Sequence, residues 1–309
     1  MLGALRFVAR KGRFVLVLGL AVGLLTPGLA AELKPWLPEM VAFLLFLTAF
    51  RIGAPDAMAG LRDGLGTLRL ALIYQLAMPL IALGLFAGFG ILNTPYAFAI
   101  ILMLSAPSVT GSPNISILLG AEPEPAFRIL IIGTAIVPLT MIPVFWLAPE
   151  LGDFTASVLA ALRLLAAIWA AIAVGFVLRH FTAPNPHKET TEAMDGAMAI
   201  AMGVIVIGLM SALGPALNAA PGEVLIWMAI VLAVNLGLQC IAFVVMRWMD
   251  WGRLIIPMSI VAGNRNVALF LVTLPAATTE PLLIFLGCYQ IPMYLTAIIM
   301  RPIYATLKT

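Results

Sequence analysis

Residues 95–120 read PYAFAIILMLSAPSVTGSPNISILLG, and residues 254–274 read LIIPMSIVAGNRNVALFLVTL. Each is an apolar run long enough for a bilayer helix, which needs about 20 residues. Each also carries a polar, glycine-bearing interruption near its middle. In the first run it is Ala106-Pro107-Ser108-Val109-Thr110-Gly111-Ser112-Pro113-Asn114, and in the second it is Val261-Ala262-Gly263-Asn264-Arg265-Asn266. Pro107 and Pro113 remove two backbone donors, and Gly111 relaxes the chain between them. A helix broken at membrane depth is tolerated only where the freed groups face protein or water. Matching interruptions in two halves of a chain point to a secondary transporter's binding site. The bland alternative is a pair of proline kinks packed by Ser and Thr, with no ligand.

The rest of the chain sets the context. Of 309 residues, 63% are apolar and 10% are charged, and the mean hydropathy is +1.11. A soluble domain carries roughly a quarter charged residues, so a soluble enzyme, a nucleic-acid binder and a disordered chain are all excluded. The net charge of +3 forms no basic stripe, because Lys and Arg fall between apolar runs. Eight further runs, at about 14–30, 36–54, 70–91, 125–147, 157–181, 195–213, 222–246 and 281–300, bring the expected number of helical spans to ten. The first run, preceded by Arg6, Arg10, Lys11 and Arg13 and followed by Thr26-Pro27-Gly28, also fits a cleavable signal peptide.

With the N-terminus placed in the cytoplasm, fourteen of the 17 Lys and Arg residues fall on the cytoplasmic side, among them Arg51, Arg62, Arg69, Arg128, Arg179, Lys188, Arg247, Arg253, Arg301 and Lys308. Only Lys34 falls outside, and Arg163 and Arg265 lie within spans. The positive-inside rule therefore predicts an all-α membrane protein of ten transmembrane helices with both termini inside, in the plasma (inner) membrane. Ten spans divide into five and five, residues 1–152 and 153–309. An odd number per half inverts the second half relative to the first. Asn114 and Asn266 are taken as counterparts. Gly19-x-x-x-Gly23 and Gly84-x-x-x-Gly88 read as small-residue packing signals, and the six tryptophans read mostly as an interfacial belt.

At the two interruptions, and at Gln75-Leu76-Ala77-Met78-Pro79 in the third span, the sequence resembles the bile acid:sodium symporter family, part of a superfamily that includes arsenite exporters. The resemblance covers essentially the whole chain. It implies a panel of spans 1, 2, 6 and 7 and a core of spans 3–5 and 8–10. Discontinuous helices 4 and 9 would cross beside the substrate and sodium, and the substrates would be small or amphipathic organic acids. The chain departs from the sodium-using pattern Glu-x-Gly-x-Gln-Asn: Val261 stands at the sodium-ligating glutamate and Arg265 at the glutamine. No Asp or Glu occurs from Gly64 to Ala121 or from Leu254 to Thr279, whereas sodium, a hard cation, wants several oxygens and usually a carboxylate. Sodium is therefore not expected at the family's usual sites, and sodium-coupled organic acid symport is the alternative. No other cofactor is expected.

Arg265 sits near the middle of its span, where an arginine costs about 2.5–3.5 kcal/mol to insert and usually serves a function. Three readings stay open: a fixed cation bonding carbonyls of the crossing helix, a bidentate ligand for an anionic substrate, or a structural arginine snorkelling to water. The expected site is lined by Thr110, Ser112, Asn114, Asn264, Arg265 and Asn266, with Gln75 and Gln290 beside it. Arg128 is a topology anchor or a gate. Asn235 and Gln239 read as interhelical hydrogen-bonding residues. The expected partners are an organic anion and the lipid bilayer, not nucleic acid. An anion channel is the rival in another class. A membrane-embedded enzyme is disfavoured, since no carboxylate pair, Ser/Lys dyad or His cluster lies within the spans.

Overall fold

The structure is a computed structural model, and it describes residues 2–55, 64–147, 154–272, 274 and 282–307. Arg62, Thr273, Lys308, the start of the tenth expected span at 281 and the 152/153 boundary between the expected halves lie outside the described residues, as does the side chain of Arg13. The helices are α1 (Leu2–Arg10), α2 (Gly12–Leu25), α3 (Pro27–Leu33), α4 (Leu37–Ile52), α5 (Gly64–Leu72), α6 (Met78–Gly88), α7 (Pro95–Ser105) and α8 (Ser112–Leu118). They continue with α9 (Glu124–Leu147), α10 (Phe154–Thr182), α11 (Lys188–Leu209), α12 (Leu213–Ala219), α13 (Pro221–Trp248), α14 (Ile255–Gly263), α15 (Leu283–Ile299) and α16 (Arg301–Ala305). A π turn, Ile73–Ala77, joins α5 to α6, and a 3-10 segment, Val267–Val272, follows α14. Among the described residues there is no strand, only one isolated bridge.

The chain is an all-helical multi-pass membrane protein. Among the described residues, seven helical runs are long and apolar enough to cross a membrane: Pro27–Ile52, Gly64–Gly88, Glu124–Leu147, Leu165–Thr182, Lys188–Ala219, Pro221–Trp248 and Leu283–Ala305. Three shorter apolar helices, Phe14–Leu25, Pro95–Ser105 and Gly252–Gly263, fall on the other three expected spans. Each is short for a physical reason. Pro27 forces Thr26 out of the helical region, to φ −122° and ψ 69°, because its ring clashes with the residue before it. The other two stop at the interruptions around Ala106 and Asn264.

The chain divides into two compact units. One contains Met1–Ala59, Arg163–Leu225 and Ala268–Gln290; the other contains Gly60–Leu162, Ile226–Val267 and Ile291–Thr309. In the first unit, α2 lies on α11 by close backbone approach. A Cβ at Gly19 would come within 2.7 Å of the Gly203 carbonyl oxygen, and one at Gly23 would meet the Met210 side chain at 2.7 Å. Gly84 and Gly88 behave differently: nothing lies within 4 Å of either position, and Ile81 and Leu85 beside them are exposed. The same spacing is thus a packing face in α2 and an outward face in α6. Ion pairs join α1 and α4 to α11: Arg6 to Glu189 at 2.9 Å and Glu192 at 3.1 Å, and Arg51 to Asp195 at 2.8 Å. Arg179, expected on the cytoplasmic side, is buried and donates to the Phe50 carbonyl at 3.2 Å.

The second unit has an apolar core in which Leu70, Tyr74, Ile129, Phe243, Ile260 and Val261 pack together. Trp36, Trp146, Trp169 and Trp248 are exposed, as an interfacial belt requires, but Trp227 is buried, its ring 4.6 Å from that of Tyr96.

Gly19→Leu should lower stability by about 1–3 kcal/mol, the usual cost of overpacking, seen as a lower thermal unfolding midpoint in detergent. Gly84→Leu should leave that midpoint unchanged.

Candidate functional site

In the second unit the two interruptions meet. Pro107 holds Ala106 in an extended conformation, φ −70° and ψ 149°, the expected effect of proline on its predecessor. The chain therefore leaves the helix at Ala106 and resumes it at Ser112. Gly111 has an ordinary right-handed φ of −79°, and a Cβ there meets nothing within 4 Å, so the proline rather than the glycine makes the break. In the second interruption the glycine is required by space: a Cβ on Gly263 would overlap the Asn235 carbonyl. Asn264 then turns extended, φ −105° and ψ 97°.

The freed backbone groups bond each other. The Val109 amide donates to the Asn264 carbonyl at 3.0 Å, and the Asn266 amide donates to the Pro107 carbonyl at 2.8 Å. Ser108 and Arg265 are thereby paired antiparallel. This two-bond bridge supplies what an apolar environment demands of any broken helix, partners for its exposed amides and carbonyls.

Arg265 is 1% exposed. Its Nη1 donates to the Ala106 carbonyl at 3.2 Å, its Nε to the Ala262 carbonyl at 3.2 Å and its Nη2 to the Tyr74 carbonyl at 3.4 Å. The guanidinium also lies 4.9 Å from the centre of the Tyr74 ring. Each acceptor is available for a reason. Ala106 caps the C-terminus of α7, and Ala262 lies in the last turn of α14, where carbonyls lack intrahelical partners and the helix dipole is negative. Tyr74 lies in a π turn in which the Met78 amide bonds the Ile73 carbonyl. In that register the Tyr74 carbonyl would take the amide of residue 79, which is a proline and has none. The Tyr74 hydroxyl in turn donates to the Met258 carbonyl at 3.1 Å, fastening the π turn to α14. Charge-assisted hydrogen bonds contribute about 1.5–3 kcal/mol each and a desolvated cation–π contact about 2, enough together to offset the insertion cost.

Beside this cation lies a buried uncharged network. Asn235 donates to the Gly263 carbonyl at 2.6 Å and to Asn264 Oδ1 at 3.2 Å. Thr296 donates to Asn264 Oδ1 at 3.1 Å, Gln239 donates to Asn235 Oδ1 at 2.8 Å, and the Tyr304 hydroxyl donates to Gln239 Oε1 at 3.0 Å. All five residues are 1% exposed or less. Asn264 also returns its Nδ2 to the Ile260 carbonyl at 3.0 Å, so its side chain holds the break in place.

Of the residues expected at the site, Gln75, Thr110, Ser112, Asn264 and Arg265 are buried in this unit and Asn266 is half-buried. Ser112 shares a 2.7 Å hydrogen bond with Ser108. Thr110 and Asn266, at the two ends of the bridge, make no side-chain hydrogen bond among the described residues, and Gln75 Oε1 is buried without a partner among them. Gly133 makes room for Gln75, since a Cβ there would strike Gln75 Nε2. Asn114 is exposed on α8, two residues into that helix, and does not join the crossing; Ser108 is the residue that pairs across it. Gln290 belongs to the other unit and donates to the Leu286 carbonyl of its own helix at 3.1 Å. Arg128 is half-buried and pairs with Glu124 of its own helix at 2.7 Å.

No protein-family model and no curated protein matches this sequence.

Sequence reasoning did not assign Tyr74, Ser108, Thr296 or Tyr304 to the site. The i, i+4 spacing of Asn235 and Gln239 inside an apolar helix was the one available signal for the network.

Arg265→Met should leave the carbonyls of Ala106 and Tyr74 unsatisfied and destabilise the fold by about 1–3 kcal/mol for each orphaned acceptor, measured as thermal unfolding in detergent. Arg265→Lys should not restore the midpoint, because an ammonium lacks the planar fork that spans three divergent carbonyls.

Proposed function

We propose that this chain is a secondary active transporter of small or amphipathic organic anions, working by alternating access, in which the crossing opens to each side of the membrane in turn. The observation that carries the reading is the bridge between two interrupted segments, with a buried guanidinium bonded to carbonyls beside it. Its antiparallel pairing is what two inverted five-helix halves would give at their point of contact, and the Lys and Arg distribution supports ten spans with both termini cytoplasmic. The resemblance to the bile acid:sodium symporter family supplies the substrate class.

In this reading Arg265 is a fixed cation, since its bonds run to backbone carbonyls. It draws an anion by its field, while Thr110 and Asn266, whose side chains keep hydrogen-bonding capacity, contact the substrate. Ser112 and Asn264 shape the break without touching the ligand. Catalytic chemistry has no place in the mechanism.

Sodium-coupled symport is the second reading, favoured by one observation. Gln75 Oε1 is a buried carbonyl oxygen without a hydrogen-bond partner among the described residues, and oxygens of this kind suit a hard cation. Against it stand Val261 and the positive charge of Arg265.

Reconstituted into liposomes and screened against radiolabelled organic acids, the protein should take up at least one acid saturably. Thr110→Val with Asn266→Leu should raise the KM about tenfold or more, the loss expected when hydrogen bonds to a charged ligand are removed. Replacing sodium with choline should leave uptake unchanged; complete loss would establish the sodium-coupled reading. No saturable uptake of any acid, with steady single-channel currents instead, would replace transport with a channel.

A further inference from the structure

A cavity of about 490 Å3 opens in the second unit where α5, α9 and α14 begin. Its rim carries Arg69, Arg128 and Arg253 with Trp251, and its floor is apolar, formed by Leu70, Ile73, Ile129 and Leu254. Glu124 is the one carboxylate in the wall. It accepts from Arg128 at 2.7 Å and lies 3.7 Å from Arg253, which also reaches Glu122 at 3.4 Å. Arg69 has no acidic partner among the described residues. The cavity therefore presents an excess of positive charge above an apolar floor, and the pairs that neutralise part of it are exposed, so they are weak and exchangeable.

The floor continues outward. Leu72 and Ile73 are exposed apolar side chains that follow Arg69 into the span, the surface that acyl chains cover in a bilayer. The arginines and Trp251 sit where the chain passes from polar loop to apolar helix, the level of lipid headgroups. A volume in the usual range for ligand pockets accommodates a phosphodiester headgroup and its glycerol, leaving the acyl chains along Leu72 and Ile73, on the membrane side of Arg69. Basic pockets between membrane helices recognise anionic headgroups by this combination. We propose that this cavity is a binding site for an anionic phospholipid, its phosphate held by Arg69, Arg253 and Arg128. The site stands apart from the transport reading, because it uses neither the crossing nor its polar network.

The test uses the purified full-length protein in neutral detergent, offered equal amounts of phosphatidylglycerol and phosphatidylcholine. Bound lipid is read by native mass spectrometry and stability by the thermal midpoint. Phosphatidylglycerol should be retained preferentially and should raise the midpoint. Arg69→Gln, at an exposed position, should weaken its binding about fivefold, the effect of one basic residue at a membrane surface. Arg301→Gln, exposed and outside the cavity wall, should leave binding unchanged. The proposal falls if both variants weaken binding equally, which would mean diffuse attraction. It falls too if the two lipids bind alike, or if millimolar inorganic phosphate alone raises the midpoint as much as phosphatidylglycerol, which would make the cavity a site for free anions.

Discussion

A single guanidinium in an apolar interior constrains the centre of the second unit. Arg265 cannot be deprotonated, and its charge is met by three backbone carbonyls together with the Tyr74 ring and the Met78 sulfur. The ends of α7 and α14 and the π turn before α6 each supply one carbonyl. Those three elements are locked to one another by that requirement. If any of them moved by more than a hydrogen-bond length, a buried charge would lose part of its compensation. The interruptions in turn cannot heal into continuous helices, because the carbonyls that Arg265 uses would be taken back by the helical ladder.

The polar atoms of the crossing fall into two populations. Most are engaged: the bridge amides and carbonyls, the Asn264 side chain, the Asn235–Gln239–Tyr304 chain and the Ser108–Ser112 pair. A fully satisfied buried network is rigid and specifies one geometry. A few are not engaged among the described residues: the Thr110 hydroxyl, the side-chain amide of Asn266 and Gln75 Oε1. In the transport proposal this contrast has a purpose, since a binding site needs a preorganised frame and a small number of groups left over for the ligand. The first unit is held by other means. Glycines bring α2 onto α11 at backbone contact, and ion pairs fasten α1 and α4 to the same helix, with no comparable buried polar chain among its described residues.

Three roles were open to Arg265 from its position in the span. What separates them is the identity of the acceptors, two of which lie 159 and 191 residues away in the chain. Snorkelling is excluded by burial. Direct engagement of an anion would compete with carbonyls that already occupy the fork.

Composition and periodicity alone determined that this chain is a helical membrane protein and that two of its apolar runs are broken near the middle. Both follow from local physics: apolar length decides what lipid will accept, and proline decides where a helix stops. Only the tertiary structure decided that the two breaks bond each other, that Ser108 and not Asn114 faces Arg265, and that Gly19 packs while Gly84 does not. It also decided that Asn235, Gln239, Thr296 and Tyr304 form one network. A hydrogen bond or a close backbone contact is a property of two positions at once, and the spacing along one segment carries no information about what stands opposite it.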